Sequence, residues 1–257
     1  MTEQEIADFR YHRTKELLER YFEIIQGYLP AMNGVTVGGR RELMAFNLLE
    51  RLFYNAKAAL FLYDEYGVSH NMAVPLSQLF RAIVYDVTIS YWLFAEGQFD
   101  AHLLEFNADY INKNGRRIRE MQGEDHVRTV TYEGWNQVAP ENFTRSEAGL
   151  QPVQVRTQTF ETISRELRDE RPEPLFRELY LLYPLLSQQA HVSAFSKEII
   201  YRRADPMIGV FYACCRGLLA GSAMLLTIVN QGDWRSVEQA LLQLLATVTP
   251  TQPEQPE

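Results

Sequence analysis

Cysteine is nearly missing from this chain. Its 257 residues include 2, and these are neighbours, Cys214 and Cys215. No disulfide framework can be drawn from an adjacent pair, and a reducing cytoplasm is the expected location. Metal chemistry is poorly supported too. Adjacent cysteines cannot easily chelate one ion together, so neither a metal nor a cofactor is expected. An excess of positive charge is also lacking. Lys and Arg number 25 against 33 Asp and Glu, for a net charge of −8. That balance disfavours wholesale binding to nucleic acid while leaving room for a local basic patch. The opening "MTEQEIADFRYHRTKELLER" has no uninterrupted apolar run, so no secretory signal is expected there. No repeat is visible, and no linker divides the chain.

What is present is apolar material at helical spacing. Apolar residues make up 46% of the chain and aromatics 12%, enough for a sizeable core. Ile6, Phe9, Leu17, Tyr21, Ile24 and Tyr28 recur three to four residues apart or at multiples, which predicts a first amphipathic helix ending before Pro30. A second, from about Glu42 to Tyr66, carries Ala45, Leu49, Leu52, Ala56, Leu60 and Tyr63. Pro75 suits the first turn of a third, apolar nearly all round. Asp100 suits the cap of a fourth, over about 101–121, which Gly115 weakens by roughly 1 kcal/mol. A shorter helix follows in "TFETISRELRDE". Another spans about 174–203, where Pro184 predicts a kink or a break. A last one carries Val237, Leu241, Leu244 and Val248.

The stretch Met207 to Val229 is long enough to cross a bilayer. Arg216 near its middle argues instead for the central helix of a bundle, because a charge there costs about 2.5–3.5 kcal/mol on insertion scales. The fold expected is therefore all-α: a single large bundle of about eight helices, one domain over 1–248. Residues 122–158 form an irregular insertion in this reading, and "VRTVTY" within them alternates like a strand. Residues 249–257 read as a disordered tail.

Several stretches are candidates for chemistry. "GVTVGGRR", Gly34 to Arg41, sits before a helix as phosphate-cradling loops do, but lacks the GK[ST] of a P-loop and reads better as a turn. "NKNGRRIRE" gathers Lys113, Arg116, Arg117 and Arg119, either a solvated basic face or a patch for RNA or an acidic partner. The strongest constellation pairs the third helix with "YPLLSQQAHVSAFS". Tyr183, Ser187 and His191 share one stripe, while Arg81 and Asp86 sit in an otherwise apolar helix where a buried charge demands partners. That set is either a structural network or the lining of a pocket.

"YPLLSQQAHVS" resembles the late helix of a widespread bacterial all-helical family of unknown function, whose pattern Y-x-x-x-S-x-x-x-H-x-S is matched by Tyr183, Ser187, His191 and Ser193. The mid-chain R-x-x-x-E of that family is similar to "FRAIVYD". Arg81 fits, but the acid arrives one residue late, as Asp86, with Tyr85 at the acidic position. The resemblance implies a compact helical fold with a shared polar centre. Arg119 and His126 also resemble the R-x(4–6)-H signature of the HEPN ribonucleases, which implies a metal-independent attack on RNA.

Two functions are thus expected. The first is a bacterial cytoplasmic protein with a polar pocket for binding or sensing, in a stress or phage-defence module by analogy. The second is a HEPN-like ribonuclease, with Arg119 and His126 as the catalytic candidates. A small ligand or a protein is the expected partner. Nucleic acid is not favoured, a membrane is not expected, and self-association is compatible with the sequence.

Overall fold

The computed structural model describes residues 2–31, 38–66, 72–147, 149–155, 158–171, 173–190, 206–229 and 233–248. Helix accounts for 86% of these residues, and the fold is an all-α bundle with one small two-stranded sheet. The helices are α1 (Glu3–Ala31), α2 (Arg40–Tyr66), α3 (Ala73–Leu93), α4 (Phe99–Gln122), α5 (residues 124–138), α6 (Phe160–Glu170), α7 (Pro174–Ala190), α8 (Pro206–Val229) and α9 (Trp234–Ala246). Where the sequence suggests one domain, the chain clusters into two compact units. One joins Met1–Tyr91 to Ser164–Glu257, and the other is Trp92–Ile163. The expected tail, 249–257, lies outside the described residues.

The first unit is built around α8, which packs against α1, α2, α7 and α9. Among the described residues α8 is the one helix long and apolar enough to cross a membrane, yet 67% of its apolar window is buried by the protein's own packing. Its glycines make that packing close. A Cβ on Gly217 would sit 3.1 Å from Leu179 of α7, and one on Gly221 would sit 2.8 Å from Val87 of α3. A small-residue spacing familiar from membrane helix pairs here brings helices of the bundle together. Arg216 is accounted for by Glu178 of α7, 2.9 Å away. Phe211 of α8 stacks on Phe80 of α3 with centroids 4.7 Å apart, tying the aromatic core together. Burial pushes the thiols of Cys214 and Cys215 well above their ordinary range, so both are core residues rather than nucleophiles.

The second unit has its own small core of Ile111, Val127, Tyr132, Phe143 and Leu150. Residues 122–158 are not the irregular insertion that their composition suggests. They continue as helix to Val138, and then form an antiparallel hairpin of β1 (Phe143–Ser146) and β2 (Gly149–Pro152). "VRTVTY" is no strand either. Val127–Tyr132 is a π-helical segment inside α5. Its i to i+5 hydrogen bonding widens the turn by one residue, so that Val127 and Tyr132 both turn inward while the residues between them stay more exposed. Buried Asn142 fastens the hairpin to α4, donating to the Leu104 carbonyl at 2.9 Å and accepting from Asn107 at 3.3 Å.

Three smaller expectations are also corrected. The helix cap before α4 is Gln98, without a side-chain bond, and Asp100 lies within the first turn, where its charge favours the helix dipole. Gly115 marks a close approach rather than a weak point, because a Cβ there would meet the Tyr132 hydroxyl at 3.0 Å. Pro184 lies inside α7 without splitting it. The proline is exposed, so the carbonyl deprived of its N–H partner can turn toward water.

Candidate functional site

In the first unit, α3 and α7 bring together part of the expected constellation. The Arg81 guanidinium donates to the Tyr183 hydroxyl at 2.9 Å and lies 4.9 Å from the centroid of the same ring. Both side chains are half-buried. Ser187, one turn along α7, does not join them, and among the described residues its buried hydroxyl has no hydrogen bond. His191, the third member of the stripe, lies outside the described residues, as does Ser193.

Asp86 belongs elsewhere. Its side chain is fully buried, and its counter-ion is Arg51 of α2, with 2.9 Å between guanidinium and carboxylate. The approach is close enough for an ion pair but off the hydrogen-bonding direction, so among the described residues neither carboxylate oxygen has a hydrogen bond. Burial outweighs the arginine and pushes the Asp86 carboxyl up to about 6. No spacing signal in the sequence singles out Arg51, because an arginine in "LLERLFY" reads as an ordinary solvated residue.

The second unit holds a cavity of about 830 Å³. One wall is α4, which presents Lys113, Arg116, Arg117 and Arg119, and the other carries Tyr132 of the π-helical segment with Gln151 and Gln154 of the hairpin side. Three features build this wall from the sequence. Gly115 lets α4 and α5 approach, the π-helical turn swings Tyr132 inward, and Asn142 holds the hairpin against α4. The basic residues differ in what they are tied to. Lys113 is 2.7 Å from Asp109, and Arg119 pairs with Glu124 while donating to the Tyr132 hydroxyl at 3.3 Å. Among the described residues Arg116 and Arg117 have neither an ion pair nor a hydrogen bond, and both are exposed. Two acids, Asp109 and Glu120, close the ends of this basic stretch.

Arg119 and His126, the candidate nuclease pair, are placed on different helices. Gly123, at φ 87°, breaks the chain between α4 and α5. His126 is not part of the cavity lining, while Arg119 is. Of "GVTVGGRR", residues 34–37 lie outside the described residues, and α2 begins at Arg40. Among the described residues no three His, Cys, Asp or Glu side chains gather as a metal set would require. No family model, no curated protein and no solved structure matches the chain.

Proposed function

We propose that this protein is a binding or sensing module that takes a compact, phosphate-bearing anion into the basic groove of its second unit. The observation that carries the reading is the pair of unpartnered guanidiniums, Arg116 and Arg117, on the wall of an 830 Å³ cavity. A planar guanidinium without an acid of its own is a fork for phosphate or carboxylate oxygens. The cavity size falls within the range of about 300–1,000 Å³ usual for small-molecule sites. Lys113 to Arg119 spans about 9 Å of helix, and Asp109 to Glu120 about 16 Å. Acids at both ends therefore limit the positive stretch to the length of a small ligand and repel a continuing polymer backbone. Gln151 and Gln154 line the same cavity and carry amide groups able to both donate and accept hydrogen bonds. In this reading the Arg81–Tyr183 contact and the buried Asp86 serve the packing of the first unit.

The ribonuclease alternative rests on Arg119 lining the groove. It is weakened because that arginine is already engaged by Glu124 and Tyr132 and because His126 is not a lining residue. Calorimetric titration with inorganic tripolyphosphate and with a short uridine oligonucleotide tests the proposal. Tripolyphosphate is expected to bind, with affinity falling as salt rises, and the double variant Arg116→Gln/Arg117→Gln to lose at least tenfold. Absence of binding by tripolyphosphate overturns it. Cleavage of labelled RNA in chelator, abolished by both Arg119→Ala and His126→Ala, would replace it with the nuclease reading.

A further inference from the structure

The outer face of α2 carries large apolar side chains in the open. Phe61 is 78% exposed, Tyr54 57% and Leu43 48%. They fall on one line. Arg40, Leu43, Asn47, Glu50, Tyr54, Lys57, Phe61 and Asp64 alternate at three- and four-residue steps, the spacing of a seam between two helices. Scattered exposed apolar residues are ordinary, but three aligned along one helix are a surface that a partner would cover.

The charges along the seam say which partner. We propose that α2 docks against α2 of a second copy of this chain, antiparallel, about a two-fold axis passing near Leu52. In that register Leu43 faces Phe61 of the second copy, Glu50 faces Tyr54, Asn47 faces Lys57 and Arg40 faces Asp64. Each contact occurs twice by symmetry. The apolar residues meet each other, the Glu50 carboxylate meets a phenol that can donate to it, and the end charges are opposite. Asp64 keeps 56% of its side chain exposed beside Lys15, so its carboxylate remains accessible to Arg40 of the second copy. Parallel pairing does the reverse. It sets Glu50 against Glu50, Lys57 against Lys57 and Arg40 against Arg40, and like charges across a contact are costly. The self-complementarity is thus a property of one orientation only.

Sedimentation equilibrium of the full chain reads the outcome. The expected mass is twice 29.8 kDa, falling to the single-chain value in Phe61→Asp with the helical circular-dichroism spectrum unchanged, since that side chain is exposed. A wild-type chain that sediments as a monomer, or a dimer that survives Phe61→Asp, overturns the proposal. The register is read by oxidative cross-linking. Asn47 and Lys57 lie about 15 Å apart on one helix, too far for a bond within the chain. The double variant Asn47→Cys/Lys57→Cys is expected to give a covalent dimer and each single variant none. Cross-linking by the single variants would mean parallel pairing and overturns the arrangement.

Discussion

Arg51, on an exposed face of α2, holds its guanidinium 2.9 Å from a carboxylate oxygen of Asp86, which is fully buried on α3. A charge with this little compensation makes its protonated form the comfortable one. The folded-state value of about 6 stands above the ordinary 3.8, so the stability associated with Asp86 is fully present below pH 4 and is lost as pH rises through 6. A shift of this size corresponds to something on the order of 2–3 kcal/mol. Asp86→Asn is expected to flatten the decline, matching wild type near pH 4 and exceeding it at pH 8 in urea unfolding. Arg51→Ala is expected to deepen the loss above pH 6. Identical pH profiles for all three proteins would show that the carboxylate is not held as described.

Tyr183 and Ser187 lie on one stripe of α7 but should respond in opposite ways. Tyr183→Phe keeps the ring beside Arg81 and removes the hydroxyl that receives its 2.9 Å hydrogen bond, at an expected cost of about 1 kcal/mol. Ser187→Ala deletes a buried hydroxyl that has no partner among the described residues, so the change should be neutral or stabilising by up to about 1 kcal/mol. Chemical denaturation of the two variants checks both. Marked destabilisation by Ser187→Ala would mean that its hydroxyl is bonded in solution.

Gly115→Ala tests how closely α4 and α5 approach. The added methyl would lie 3.0 Å from the Tyr132 hydroxyl and 3.3 Å from its ring. Strain of this kind costs about 1–3 kcal/mol, against a gain of roughly 1 kcal/mol in helix propensity. The expected outcome is a net loss of stability and a weaker grip on tripolyphosphate, both partly restored by adding Tyr132→Phe. A stabilised Gly115→Ala protein would contradict the packing.

The legible and illegible parts of this molecule divide along physical lines. Helices with long apolar stripes, such as α2 with Ala45, Leu49, Leu52, Ala56 and Tyr63, announce themselves because burial on one side repeats at the helical period. Leu60, counted with them in the sequence, is only half-buried. Arg81 and Tyr183 could be paired from sequence, since a guanidinium in an apolar helix needs an acceptor. Arg51 could not, because the demand for it lies in Asp86, thirty-five positions away. The basic residues of "NKNGRRIRE" are visible in the chain, but the facing wall is not. Tyr132 reaches it through a π-helical turn, which breaks the i, i+3, i+4 rhythm and makes the β-branched "VRTVTY" look like a strand.

Separate cores also bear on how the molecule opens. The cluster of Ile111, Val127, Tyr132, Phe143 and Leu150 shares no residue with the aromatic packing of Phe80 and Phe211. A chain with two apolar centres of unequal size is expected to exchange its amide protons in two populations, with the Trp92–Ile163 segment, protected by the smaller centre, exchanging first. For such a molecule a single unfolding midpoint would describe neither part, and proteases would sample the groove-bearing segment while the bundle around α8 stays closed. A ligand held between α4 and the hairpin would slow that local opening specifically, giving the site a readout independent of any reaction.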